Sequence, residues 1–565
     1  MMNIEMACRV LDILETMQDA VKQMKKSYVL ENWHEFHTLY ADLKNGLNAV
    51  AALAAQDGEE EPILQLKNGC DCALLSLEDI MTLSSVKSEE VPWKLDCELL
   101  AFVEGIYLKL FYDKIVQEVP ERKKELQGRI AATNAYYRLF QREEERTYTC
   151  DLSIFMPAYN HLDYSKMCVE SIMRNLPKGI ACEIVLLNNG CTDGTRAFFE
   201  SLPEVHVINL PINRLFPLAG MRALGGRYSL FVSNDIIIGE NAIVNMYRAI
   251  SEHKDYGWIV PATSAVSNLQ MLPVQYESFE EFHAFAAENN QYDESRHEMR
   301  VRLCNPVTMV RTDLYNQMQL ELYEEMYCIK NISSFPDDKI SLWMRRHGYK
   351  SVLQKDAYCH HFGSVTHKDD YDSKEKWDEF YKRGRKEFLD NFGVDPWGTG
   401  FCYDPVFTER VVDNESGPVE VLGINCGLGS NSLKIKEQLR EYNRSAEPAL
   451  TNITDTPCFL EDLRGISDQA EVVSSIKQLK NLLYQRKFQY IVWETPFLQK
   501  YKFKNLLNLS LEHLAAEGKL IMKLTAQSEE VLNKGLQNIR ELENGWVVIK
   551  KVDRSLERIL ELKGT

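Results

Sequence analysis

SLFVSNDIII, residues 229–238, is an apolar run broken at Ser233-Asn234-Asp235 and resumed by three isoleucines. Two readings compete for the break. Asn-Asp is ordinary turn chemistry, because both side chains bond nearby backbone and tolerate unusual dihedrals. Alternatively, a strand ends here and presents Asp235 to a ligand. Upstream stand LSIFMPAY (152–159), CEIVLLNNG (182–190) and VHVINL (205–210), short runs of strand composition. Helix-like SKMCVESIMRNL (165–176) and DGTRAFFESL (193–202) lie among them. Alternating strand and helix predicts a mostly parallel α/β sheet with right-handed crossovers. Ligands in such sheets collect at the carboxyl ends of the strands. Pro157, Asn188, Asn189 and Asp235 therefore share one rim, which favours the ligand reading.

The bulk properties bound the rest. A chain of 565 residues exceeds a single core and predicts several domains. Hydrophobic content of 45% is that of folded globular material. A formal charge of −18 argues against a nucleic-acid partner, which would call for a basic face. The 14 cysteines include no CxxC pair, and Cys70 and Cys72 stand too close for a usual zinc half-site. Reduced thiols, an acid-bearing first segment unlike a signal peptide and the lack of a ~20-residue apolar span predict a cytoplasmic protein without stable membrane insertion.

Texture divides the chain into four regions. Residues 1–148 read as helical. Val10, Leu14, Met17, Val21 and Met24 form one amphipathic stripe, and Leu99, Phe102, Val103, Ile106, Leu110 and Phe111 form another. This predicts a helical bundle that packs, forms a homodimer or grips an acceptor, with DGEEEP (57–62) as a loop. Residues 149–371 are the alternating α/β region. Residues 372–417 hold a charged helix, the loop-rich FGVDPWGTGFCYDPVF (392–407) and a linker at 413–418. A second alternating pattern fills 418–565.

The central region resembles the family 2 glycosyltransferases, which use the nucleotide-sugar-binding GT-A fold. SIFMPAYN looks like that family's opening strand, which implies nucleotide contact around Pro157, Ala158 and Tyr159. EIVLLNNGCTDGT (183–195) is similar to its second signature, ending in Asp193 and Thr195. Asn188 stands where the family often has a uracil-reading aspartate, with Asn189 beside it. FVSND resembles the metal-binding strand end. The likeness makes Asp235 the cation ligand and Ser233 and Asn234 sugar or ribose contacts. The chemistry fits, since a carboxylate can hold the cation that offsets diphosphate charge. NRLFPLAGMRAL (213–224) offers Asn213 and Arg222 for phosphate or sugar.

FPDDKISLWMRRHGYK (335–350) is similar to the segment that carries the family's general base. The likeness assigns that role to Asp337, or to Asp338 if the register shifts by one. A plain alternative is a pair of aspartates favoured at a helix start. AYCHHFGSVTHK (357–368) resembles the family's H-x-G-S segment, making His361, and second to it His360, further metal or diphosphate ligands. Together these landmarks imply an inverting transferase that uses Mn2+ or Mg2+ and a nucleotide-sugar donor, UDP-linked by family preference.

VEVLGINCGLGSNSL (419–433) resembles the first motif of Rossmann-like S-adenosylmethionine methyltransferases. Gly423 replaces the usual acid there, Asn425 replaces the first glycine, and Gln489 stands at a later position where aspartate is frequent. The missing acids argue against S-adenosylmethionine as a cofactor. A domain repurposed for scaffolding or acceptor binding fits them better. A helical front, a family 2 centre and a methyltransferase-like back resemble bacterial enzymes that glycosylate flagellin or other surface proteins, which implies a protein or glycan acceptor. The alternatives are a methyltransferase acting on a glycan and a non-catalytic scaffold for surface assembly.

Overall fold

The computed structural model describes residues 3–55, 61–136, 148–210, 224–323, 335–363, 374–498, 503–524, 539–541 and 543–550. The first region is helical, as its stripes predict. Helices span Ile4–Val29, Trp33–Ala55, Glu61–Ser85, Ala101–Leu110 and Lys123–Tyr136, with π-helical turns at Leu95–Leu100 and Phe111–Val116. Both predicted stripes are buried. Most of the predicted loop at 57–62 lies outside the described residues.

Among the described residues, nine strands build the central sheet: β1 (Cys150–Ala158), β2 (Cys182–Asn189), β3 (His206–Leu210), β4 (Gly226–Val232), β5 (Ile236–Ile238), β6 (Tyr256–Thr263), β7 (His297–Arg300), β8 (Val307–Arg311) and β9 (Lys350–His361). Their order is β3-β2-β1-β4-β8-β6-β9-β5, with β7 beside β9. The sheet is less parallel than the alternation predicts. β3-β2-β1-β4 and β6-β9 are parallel, whereas β8 runs antiparallel to both β4 and β6, and β5 and β7 run antiparallel to β9. The local pattern of a strand does not record its partner's direction, so this difference is invisible in sequence.

Period-two alternation splits the parallel strands between two cores. Leu152, Ile154, Met156, Ile184 and Leu186 pack under the crossover helices Leu162–Arg174 and Ala242–Glu252. Phe155, Val185, Leu187, Ile208 and Leu210 face the other way and share a core with the N-terminal helices. The bundle is therefore one layer of the central body, covering a sheet face that would otherwise meet water. Trp93 stacks on His206 with ring centroids 4.6 Å apart, and Lys94 donates to the carbonyl of Val207 at 3.3 Å.

The C-terminal region forms a second sheet from β10 (Gly417–Ile424), β11 (Ala446–Thr454), β12 (Gln469–Val472), β13 (Phe488–Trp493), β14 (Leu514–Lys523), β15 (Ile539–Glu541) and β16 (Trp546–Lys550). Its order is β12-β11-β10-β13-β14-β16-β15, and β16 is antiparallel to both neighbours. The stretch read as a linker is bound to this sheet. Asp413 donates its backbone N–H to the Tyr490 hydroxyl at 2.8 Å, and that hydroxyl donates to Glu415 at 3.0 Å.

Buried charges join the two sheets. Glu298 on β7 lies 2.8 Å from Arg300, 2.9 Å from Lys355 and 3.0 Å from Lys434 of the C-terminal helix Ser430–Tyr442. Burial pushes its carboxyl up, but the three cations together hold it well below the usual range. A second clamp grips helix Pro336–Arg346, where Arg345 and Arg346 donate at 2.6 and 2.7 Å to Asp462, a fully buried carboxylate of helix Leu460–Arg464.

Candidate active site

β4 ends at Val232, and Ser233-Asn234-Asp235 turn the chain into β5. Antiparallel pairing sets Ile236 opposite His361 at the end of β9, and Phe362 donates its backbone N–H to the carbonyl of Asp235 at 3.1 Å. This register brings His361 Nε2 to 3.2 Å from Asp235 Oδ2, with both side chains buried. Bonding elsewhere decides the imidazole tautomer. His361 Nδ1 bonds the carbonyl of Ala265, so Nδ1 carries a hydrogen and Nε2 is the ring nitrogen that faces Asp235. Ser264 fixes the backbone, accepting from His361 N at 2.9 Å and donating to its carbonyl at 3.0 Å.

A divalent cation fits this pair. Two oxygen or nitrogen ligands at about 2.1 Å in cis-octahedral positions stand roughly 3.0 Å apart, close to the spacing found. No third His, Cys, Asp or Glu joins them among the described residues. A diphosphate and water would have to complete the coordination.

His360 takes the other face of β9, as alternation requires. Its Nδ1 lies 2.7 Å from the Tyr276 hydroxyl and 3.3 Å from Ser264, its ring is ringed by Phe279, Phe282 and Phe362, and burial lowers its pKa. The structure does not bring it to Asp235.

Asp337 and Asp338 start helix Pro336–Arg346 behind Phe335, which holds the N-cap position at φ +59° with no side-chain cap. The two carboxylates differ. Asp338 is 5% exposed and accepts from Arg302 Nε at 2.7 Å. Asp337 remains partly exposed and takes a hydrogen bond from the backbone of Asn305. Desolvation, opposed by Arg302 and reinforced by Asp338, raises its pKa to about 7. Asn305 adjoins Pro306, whose carbonyl accepts from Ser233 N at 2.9 Å. The segment 302–306 thus ties Asp337 to the strand end that carries Asp235.

The remaining rim residues brace one another. Asn188 donates to Asn209 at 3.0 Å and accepts from Cys191 N at 2.9 Å, so its amide locks the turn after β2. Asp193 accepts from Leu162 N at 2.8 Å and from the Thr195 hydroxyl at 2.7 Å, starting two helices at once. Asn234 donates to Ser165 at 3.0 Å and to the carbonyl of Asn160 at 3.4 Å. Pro157, Tyr159, Asn189 and Ser233 are partly exposed at the rim, whereas Ala158 is buried. Asn213 and Arg222 lie outside the described residues.

Several members escaped the sequence reading. Asn160 and His161 take successive positive φ values, +53° and +57°, and Asn160 accepts from Thr192 N at 2.8 Å, joining the loops after β1 and β2. Asn is favoured in such conformations, which was a usable signal. Tyr276 and Arg302 had none, because they act through partners remote in sequence.

Residues 153–301 match the family described as Glycosyl transferase family 2. The chain is similar to Glycosyltransferase GlyA of Streptococcus pneumoniae serotype 4, 27% identical over 109 residues, covering 18% of this chain and 15% of that protein's length. Among solved structures it resembles GalNAc-T7 with UDP, GalNAc and Mn2+ (11% identity, 38% of this chain and 44% of that one, TM-score 0.29). It also resembles the mannosyltransferase PcManGT from Pyrobaculum calidifontis with GDP-Man and Mn2+ (15% identity, 42% and 67%, TM-score 0.26). The central region of this chain carries a Glycosyl transferase family 2 segment.

Proposed function

We propose that the protein is an inverting, metal-dependent glycosyltransferase that moves a sugar from a nucleoside-diphosphate sugar, a UDP-sugar by family preference, to a hydroxyl acceptor. The observation that carries the proposal is the Asp235–His361 pair at 3.2 Å, in which Asp235 lies inside the matched family 2 segment and His361 downstream of it. Asp235 and His361 would hold Mn2+ or Mg2+, and the ion would offset charge gathering on the departing diphosphate. Asp337 is the base. As the acceptor oxygen bonds the anomeric carbon, Asp337 takes its proton, and the bond from that carbon to the diphosphate oxygen breaks on the opposite face. A pKa of about 7 suits that role near neutral pH. Asp338, held by Arg302, keeps the helix start in place and sustains the raised pKa of its neighbour.

The acceptor in this reading is a protein or glycan; a bacterial surface protein such as flagellin rests on the resemblance of the domain combination alone. A thermal-shift panel of UDP, GDP, CDP and dTDP, each with and without manganese, tests the proposal. A manganese-dependent shift with one diphosphate, lost in Asp235→Ala, supports it and names the donor class. The absence of any such shift refutes it.

A further inference from the structure

The turn that opens helix Ser430–Tyr442 is filled by the chain itself. Amides at a helix start have no intrahelical partner and must find one elsewhere. Here Leu428 N donates to the carbonyl of Thr399 at 2.9 Å and Ser430 N to that of Gly400 at 3.1 Å. Asn431 adds a third bond, its Oδ1 accepting from Asp404 N at 2.8 Å. A Cβ on Gly400 would stand 2.1 Å from the carbonyl oxygen of Cys426, and one on Gly427 2.1 Å from that of Thr399. Glycine at both positions lets the two backbones touch, and Gly400 also takes a positive φ of +74°. The C-terminal region therefore grips segment 399–404 as it would an internal ligand.

That segment carries two aromatic rings to the central sheet. The Tyr403 ring centroid lies 4.4 Å from the Arg300 guanidinium and 4.9 Å from Lys434 Nζ, and its hydroxyl accepts from Arg300 at 3.1 Å. The Phe401 ring centroid lies 6.0 Å from the Arg302 guanidinium. Arg300 ends β7, and the chain from there to Pro306 touches three parts of the candidate active site. Arg302 bonds Asp338, Asn305 N bonds Asp337, and Pro306 accepts from Ser233, two residues before Asp235. On its other side Gln270 brackets Cys304, accepting from its N–H at 2.7 Å and donating to its carbonyl at 2.8 Å. Segment 300–306 is thus held between Gln270 and the two rings.

We propose that the C-terminal region serves the transfer reaction as a positioning device: its glycine turn holds segment 399–404, and Phe401 and Tyr403 hold Arg302 against the Asp337–Asp338 pair. The inference rests on Asp337 as the base, and the two aromatic residues act through Arg302. Arg302 favours the ionised Asp337 and Asp338 opposes it. Arg345 faces Asp338 along the helix, Cys304 faces the pair and Cys402 faces Arg302, both thiols being raised by burial. Loosening the rings lets Arg302 move away, and Asp337 then holds its proton more tightly.

The test compares the full chain with its Asp337→Asn counterpart by scanning calorimetry from about pH 4 to 9, without ligand. The gap between the two widens with pH and levels off once the folded carboxyl has ionised. In Gly400→Ala, which forces segment 399–404 off the turn, and in Phe401→Leu, the levelling moves up by at least about half a pH unit. Phe401→Tyr keeps the ring and the wild-type value. Arg444→Ala, which breaks an exposed ion pair to Asp293 between the same two regions, also keeps it. UDP release from UDP-glucose and UDP-N-acetylglucosamine, followed over the same range, has an acidic limb that moves with the levelling, about threefold slower below it per half unit. Should Gly400→Ala fail to fold, Phe401→Leu decides. A levelling point unmoved in the folded variants, or moved as far by Arg444→Ala, overturns the proposal. A limb that persists in Asp337→Asn refutes the base instead, and the calorimetric comparison still decides whether the C-terminal region positions the pair.

Discussion

Replacing Asp337 with asparagine should stabilise the protein while abolishing transfer. The native fold holds this carboxyl at about 7 instead of its ordinary 3.8. At ~1.36 kcal/mol per pH unit, the charged form is disfavoured by up to ~4 kcal/mol. Solvent reaching the partly exposed side chain reduces that to roughly 2–3 kcal/mol. The sign follows from proton linkage. Between the unfolded and folded pKa values the native state keeps a proton that the unfolded chain has lost, so stability falls as pH rises from about 4 to 7 and stays flat above. At pH 8 the wild type bears the whole cost, whereas at pH 5 it bears less than half. Asparagine keeps the shape without the charge. Scanning calorimetry should show Asp337→Asn melting several degrees above wild type at pH 8, with the gap narrowing by more than half at pH 5. Transfer by the same preparation should fall by ~10²–10⁴-fold. A variant no more stable at pH 8 than wild type, or one that retains turnover, would refute both the desolvated carboxylate and its role as base.

Other consequences are separately measurable. Asp235→Ala should remove the manganese-dependent stabilisation by nucleoside diphosphate, ~2.7 kcal/mol at a hundredfold excess over Kd, as followed by thermal shift. Manganese titration should show His361→Gln weakening metal affinity at least ~10-fold, and His360→Gln changing it by less than about twofold, because only His361 shares the face of Asp235. The pH profile of kcat/KM should carry an acidic limb near 7, rising tenfold per pH unit below that point, and the limb should disappear in Asp337→Asn. Asp462→Ala leaves the buried Arg345 without its carboxylate partner and should cost ~3–5 kcal/mol by thermal melt.

Much of the site's skeleton is legible in the chain itself. Strand composition at 152–159, 182–190 and 228–232, with helices between, specifies parallel strands whose ends share a rim, because local propensity and connection handedness leave few alternatives. Asp235 after β4 and Asp337 at a helix start follow from the same reading. Tertiary structure alone separates Asp337 from Asp338, since Arg302 arrives from a loop with no sequence link to either. It alone commits His361 and turns His360 away, because strand register and the carbonyl of Ala265 decide which ring meets Asp235. It also makes the N-terminal helices a layer of the central body and engages Asn188 within its own turn. A sequence records each residue's own chemistry and the period of its neighbours. Partner, register and desolvation are properties of pairs, and pairs remote in the chain exist only once it has folded.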